Sequence, residues 1–230
     1  MSVIKILPIK WFGDRKAYQE SELKIITVGL NPSDKEFREK KGDPFTSQLR
    51  FPDYVNGNNY SLEKALNSYF EKNPYRQWFN AGFEPILNGM GASYYSKAGY
   101  TYRALHTDIC SPFATDPTWS ELSSAEQNTL FQTGFLEWQQ LVKDLAPDII
   151  LFSIPQGYVK MLNMGFLYDL CRYTTTKNGQ KRKSPVIIQK GMYGKSLAVF
   201  GRTRNVPFGS LGKDQKNKLG KNIIKYYGTI

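Results

Sequence analysis

The sequence predicts an α/β protein, a three-layer α/β/α sandwich built on a mostly parallel central sheet. Three observations predict it. Short β-branched runs alternate with stretches of helical periodicity. One run, Asp148-Ile-Ile-Leu-Phe-Ser-Ile154, is nearly all apolar, as a strand covered on both faces requires. At 230 residues, 40% hydrophobic and 22% charged, the chain can bury a substantial core as one domain over residues 1–230.

The first strand is Lys24-Ile-Ile-Thr-Val-Gly-Leu30, ended by the turn signal Asn31-Pro32-Ser33. Ser61 then opens a helix whose Leu62, Ala65, Leu66, Tyr69 and Phe70 share one face, and Asn73-Pro74 stops it. Arg103 to Cys110 reads as the second strand, closed by Ser111-Pro112. Ser123 and Glu126 form a capping box for a long helix. In it Phe131, Phe135, Trp138, Val142 and Leu145 repeat at helical spacing until Pro147, a stripe that reads as core. After the strand over 148–154, Pro185–Gln189 and Leu197–Phe200 are further strands, and Lys213 to Tyr227 is a closing basic helix. Lys177 to Lys183 reads as a polar surface loop. There is no internal repeat.

The basic excess is confined to one part of the chain. Residues 172–230 hold fourteen Lys/Arg and a single acid, Asp214, whereas the rest holds 17 basic and 19 acidic residues. So segregated a field favours a polyanionic partner, because each neutralised phosphate releases condensed counterions, over a merely solubilising face. No window reaches the ~18 apolar residues of a membrane span. Lys5 and Lys10 interrupt the apolar start between Met1 and Asp14, so no signal peptide is read there. Cys110 and Cys171 belong to no CxxC pair, and one histidine excludes His-pair metal sites and leaves little room for a Ser-His-Asp triad. The expectation is a cytoplasmic monomer that uses no cofactor and no metal.

In open α/β sheets ligands lie beyond the carboxyl ends of the strands, so three loops matter. In Gly29-Leu-Asn-Pro-Ser33, Gly29 permits close backbone approach, Pro32 fixes the turn and Asn31 presents an amide able to orient a water. An ordinary Asn-Pro turn would look the same. In the second loop, strand alternation puts Ala104, His106 and Asp108 on one face. A carboxylate there needs partners; it is either bonded structurally to loop amides or part of a site. His106 reads first as a packing residue and second as a site residue. The third loop, Gly201 to Ser210, offers Arg202, Arg204 and Asn205, a Val206-Pro207-Phe208 wedge, and Ser210 as a cap for the terminal helix. A basic loop with an apolar tip suits gripping phosphates while pushing into a base stack; a plain surface turn is the alternative.

In order and content these loops resemble the uracil-DNA glycosylase superfamily. Gly29-Leu-Asn-Pro-Ser33 is similar to the Gly-x-Asn-Pro-Gly/Ser water-activating turn of its mismatch-specific and single-strand-selective branches. Ala104 to Pro112 falls where that family has its base-reading strand, with Asp108 at the position where most members have Asn. Gly201 to Gly209 falls at the family's second motif and intercalating loop, with Asn205-Val-Pro207 in place of the usual His-Pro-Ser. The resemblance spans roughly residues 20–225 in element order, and only its first motif is specific. It implies a uracil-DNA glycosylase-like fold and a DNA glycosylase. In that enzyme Asn31 would hold the water, and Phe45 or Phe51 would stack on the flipped base beside Gly29, Leu30, His106 and Asp108. Arg202, Arg204, Asn205, Ser210, Lys213, Lys216 and Lys218 would contact DNA.

Asp108 bears on the base. An Asn can accept from N3–H of uracil and donate to O4, whereas a carboxylate only accepts. The N4 amino group of cytosine is a donor that suits it. Ordinary cytosine is excluded, since excising it would destroy the cell's own genome. A modified cytosine of phage DNA, carrying a bulky 5-substituent, removes that conflict and implies a defence role. The alternatives are a uracil or mismatch repair glycosylase, a non-catalytic nucleic-acid-binding protein on the same scaffold, and a metal-dependent phosphate-ester hydrolase using Asp34 or Asp108.

Overall fold

The computed structural model describes residues 2–4, 8–40 and 42–229. Met1, Lys5 and the side chain of Asp34 lie outside the described residues. The strands are β1 (Ser2–Ile4), β2 (Ile25–Gly29), β3 (Ala92–Ser93), β4 (Tyr102–Asp108), β5 (Ala114–Asp116), β6 (Ile149–Phe152), β7 (Tyr168–Thr175), β8 (Lys181–Tyr193) and β9 (Ser196–Phe200). The α-helices are α1 (Arg15–Glu20), α2 (Asn59–Asn67), α3 (Arg76–Ala81), α4 (Glu84–Gly89), α5 (Ser124–Leu145), α6 (Gln156–Met161) and α7 (Lys213–Tyr227). The protein is α/β: seven strands form a mostly parallel sheet in the order β3-β4-β2-β6-β9-β8-β7, flanked by helices. β3–β4 and β6–β9 are parallel pairs, while β8 runs antiparallel to both β9 and β7. β1 and β5 form a separate antiparallel pair.

The chain groups into two compact units, one of Met1–Gln19, Val28–Tyr75 and Leu105–Ala146, the other of Glu20–Thr27, Arg76–Ala104 and Pro147–Ile230. In the first, Ser123 and Glu126 close the expected capping box, and α5 buries Phe131, Trp138, Val142 and Leu145. Trp138 Nε1 donates to Thr107 Oγ1 of β4 at 3.1 Å. Gly134 brings α5 against the end of that strand. A Cβ there would lie 2.9 Å from Ser111 Cα and closer still to the Cys110 carbonyl, so only glycine fits. The second half of the core is aromatic: Phe12 meets Tyr69 edge-on at 4.5 Å and stacks near Phe51 at 6.3 Å.

In the second unit β6 is buried on every residue, as its apolar run requires for a strand covered on both faces. α7 occupies the predicted span and crosses α4 where Gly89 meets Gly220, each without room for a side chain.

Three local expectations are corrected. Helix α2 is capped by Asn58, whose side chain accepts from Ser61 N at 3.0 Å, because the chain enters the helix earlier than Ser61. Lys177–Lys183 is no free loop: it is the tip and first strand residues of the β7–β8 hairpin, whose first strand alternation did not reveal. Ser210 does not cap α7. Gly212 is the cap residue, its N–H donating to Gln215 Oε1 at 3.0 Å, while the Ser210 carbonyl accepts from Arg182.

Gly134→Ala tests the α5 contact. Helix propensity alone would make the change stabilising by up to about 1 kcal/mol, whereas overpacking against Cys110 predicts a loss of about 1–3 kcal/mol in denaturant unfolding. Leu136→Ala, on the exposed side of the same helix, is expected to stay within about 0.5 kcal/mol.

Candidate functional site at the ends of the second and fourth strands

The carboxyl ends of β2 and β4 lie side by side. Ile109 N donates to Gly29 O at 3.1 Å and Cys110 N to Leu30 O at 2.7 Å, so Asn31 follows directly on a segment bonded to the residues after Asp108. The missing side chain at Gly29 sets the geometry. A Cβ there would stand 2.6 Å from Asp108 Oδ1 and 3.3 Å from the His106 ring, so the carboxylate and the imidazole occupy the space of a side chain. Both are buried, with His106 Nε2 3.6 Å from Asp108 Oδ1. His106 is held by two backbone bonds with Phe12 and by packing against its ring at 5.7 Å. Packing and contact with the site carboxylate are therefore joined in one residue.

Asn31 is half-buried, and its amide orientation is fixed. Nδ2 donates to the Pro32 carbonyl at 2.9 Å and to Thr115 Oγ1 at 3.0 Å, and Thr115 is fully buried in β5. With both amide hydrogens committed, Oδ1 is the free end and accepts no bond among the described residues. A fixed carbonyl oxygen with solvent access can accept from a water and hold it in one place.

The structure adds a residue that the sequence did not single out. Glu36 is buried, with Oε1 accepting from Ser33 N at 3.3 Å and Oε2 from Tyr69 OH at 3.4 Å, while its peptide carbonyl accepts from Arg50 Nε. Burial first, and the negative charge of Asp108 second, push its carboxyl from 4.5 up to about 8. At neutral pH Glu36 is a neutral acid beside a carboxylate, which leaves Asp108 as the acceptor. The only sequence signal for Glu36 is the spacing Ser33-x-x-Glu36, which reads as a capping box and is one.

Of the two aromatics proposed to stack on a base, one remains. Phe51 is 1% exposed and enclosed by Phe12, Phe37 and Tyr69, so it is core. Phe45 is half-buried, leaning on Phe37 at 5.0 Å, and keeps part of its ring accessible. Asp108 also borders a cavity of about 560 Å³ walled by Trp11, Arg15, Leu62 and Trp138; Asn31 is not among its lining residues. The Arg15 guanidinium lies over the Trp11 ring at 5.0 Å, and its buried Nε has no hydrogen-bond partner among the described residues. Among the described residues no group of three His, Cys, Asp or Glu is placed to hold a metal ion.

In the second unit, the proposed DNA-contacting residues divide by exposure. Arg202, Arg204, Asn205, Lys213 and Lys218 are exposed. Arg202 reaches Gln156 Oε1 at 3.3 Å, and Asn205 adopts a left-handed φ of 62° at the loop tip. Lys216 is not a DNA contact. It is 2% exposed, and Nζ donates to the carbonyls of Ala81 and Pro207 at 2.5 and 2.8 Å; burial lowers its pKa to about 8. The Val206-Pro207-Phe208 wedge is likewise corrected. Pro207 and Phe208 are buried, and Phe208 fills the space that a side chain on Gly201 would need, so of the wedge only the half-buried Val206 stays partly accessible beside the exposed arginines. Helical periodicity placed Lys216 on α7 but not which face the loop would cover.

No protein-family model, curated protein or solved structure matches this chain. Among the described residues, no helix is long and apolar enough to cross a membrane.

The carboxyl of Glu36 yields a pH signature. Because its folded pKa is raised, the native state keeps a proton that the unfolded chain releases between 4.5 and about 8. Stability should fall as pH rises through that window. Thermal melts in a pH series are expected to lose that segment of the decline in Glu36→Gln; a parent-like profile in the variant would refute the assignment.

Proposed function

We propose that this protein is a DNA glycosylase with the three-layer architecture of the uracil-DNA glycosylases. In this reading it hydrolyses the N-glycosidic bond of a flipped-out pyrimidine, a modified cytosine of phage DNA in preference to plain uracil. Its setting would be the cytoplasm and its role defence. One observation carries the reading: the Asn31 amide is locked by Thr115 and Pro32 with its oxygen free, directly beyond Gly29, over which the Asp108 carboxylate lies.

The chemistry follows from these groups. Asn31 Oδ1 accepts from a water and holds it toward C1′ of an extruded nucleotide. An amide is too weak a base to remove the proton in the ground state. The work is therefore positioning while the glycosidic bond loosens and positive charge grows on the sugar. Asp108 accepts from an exocyclic amino group, which favours a cytosine edge over the O4 of uracil. The neutral carboxyl of Glu36 keeps a second negative charge away from that edge. Phe45 supplies the accessible ring for stacking, and Arg202 and Arg204 the phosphate contacts.

The buried wedge favours a second reading, a nucleic-acid-binding protein without turnover. With Pro207 and Phe208 packed in the core, only the half-buried Val206 is left to fill a vacated base stack. One substitution separates the two. Asn31→Ala is expected to abolish abasic-site formation on DNA carrying modified cytosines, a loss of about 100-fold or more, while DNA affinity stays within about threefold. A parent that binds DNA yet releases no free base, followed by mass spectrometry across plain, uracil-containing and phage DNA, would leave only the binding reading. Base identity is tested separately. If the carboxylate selects cytosine, Asp108→Asn shifts release toward uracil; a parent that releases uracil alone, with the variant no more active on it, assigns uracil repair instead.

A further inference from the structure

Beyond the loop carrying Arg202 and Arg204, the second unit presents a basic element that the glycosylase reading leaves unused. The β7–β8 hairpin turns over residues 176–180, with Thr176 N donating to Gln180 O at 2.8 Å and Gly179 at φ 80°. Its charged residues differ in what they bond. Arg182 points to one face, where Nε donates to the Thr175 carbonyl at 2.7 Å and Nη2 to the Ser210 carbonyl at 2.5 Å. Lys181 and Lys183, one residue to either side, are exposed.

The tip is held firmly. Tyr173 OH donates to the Gln215 carbonyl at 3.2 Å, and Gln215 Nε2 donates to the Thr175 carbonyl at 3.0 Å. Lys177 packs so closely on Gly212 that a Cβ there would lie 2.7 Å from the Lys177 Cβ, which brings Lys213 into the same neighbourhood. Among the described residues Lys177, Lys181, Lys183 and Lys213 have no acidic partner. From Lys177 to Lys183 the hairpin has no aromatic residue and no acid. Three uncompensated ammonium groups on a braced ribbon and a fourth at the start of α7, with nothing at the ribbon's tip on which a base can stack, match the charge of a phosphate backbone and not the faces of unpaired bases.

We infer that the tip of the β7–β8 hairpin, through Lys177, Lys181 and Lys183 with Lys213 beside them, is a sequence-independent docking surface for the phosphate backbone of duplex DNA. It rests on the DNA partner of the preceding reading but not on its chemistry. Arg182 is a positioning residue, spent on holding the ribbon against the loop ahead of α7. The contact supplies affinity and steering and leaves base choice to the site at Asp108.

The test is the salt dependence of binding to a short duplex of ordinary bases, measured by fluorescence anisotropy from about 50 to 200 mM salt. The variant Lys177→Gln/Lys181→Gln/Lys183→Gln is compared with the parent and with Lys64→Gln/Lys97→Gln/Lys143→Gln, a control of equal net charge. The hairpin variant is expected to bind about tenfold or more weakly at the lower salt, with a log–log slope shallower by about two to three; the control's slope should change by less than about one. Equal losses in both variants, a parent-like hairpin variant, or lysine-dependent binding to anionic phospholipid vesicles but not to DNA would each overturn the inference. A parent that binds no duplex at all removes this inference together with the DNA reading. A parent that binds through the hairpin yet releases no base removes the glycosylase reading alone.

Discussion

The candidate site depends on the empty place at Gly29. A strand end with a side chain there would collide with Asp108 and press on His106, so the absence of one Cβ lets a carboxylate fold over the end of the neighbouring strand. Burying that charge has consequences for what surrounds it. Its field, added to desolvation, keeps Glu36 protonated at neutral pH, and His106 stands within 3.6 Å. Asn31, two residues beyond the glycine, is then fixed by Thr115 and Pro32 with only its oxygen unspent. Carboxylate, neutral acid and oriented amide form one electrostatic arrangement at the edge of an aromatic core.

That core explains why the arrangement is rigid. Phe12, Phe37, Phe51 and Tyr69 form a continuous ring cluster, and Tyr69 both donates to Glu36 and accepts from Tyr75 N at 2.9 Å. The backbone of Phe12 is bonded in both directions to His106. Packing and polar satisfaction therefore restrain the same few residues, which is what a site needs if its work is positioning.

The second unit divides its cationic groups by use. Lys216 is withdrawn from solvent to bond the carbonyls of Ala81 and Pro207, and Arg182 ties the hairpin to Ser210. Arg172 pairs with Asp169 at 2.9 Å, whereas Lys177, Lys181, Lys183 and Lys213 have no acid among their described partners. Some of the positive charge thus shapes the unit, and the remainder faces outward as a field for a polyanion.

Much of this was legible in the sequence because it depends on local periodicity. The capping box at Ser123 and Glu126, the buried run of β6, the span of α7 and the turn after β2 all follow from residues within a few positions of one another. The pairing of Asp108 with His106 on one face also follows, since alternation in a strand is local. What the sequence left open depends on which surface meets which. Phe45 and Phe51 lie six residues apart, and only the ring cluster decides that one is core and the other accessible. The carboxyl of Glu36, the burial of Lys216 and the enclosure of Phe208 likewise exist only once distant segments close around them. Burial and electrostatic environment belong to the assembled neighbourhood and not to the residue, so tertiary structure alone decided them.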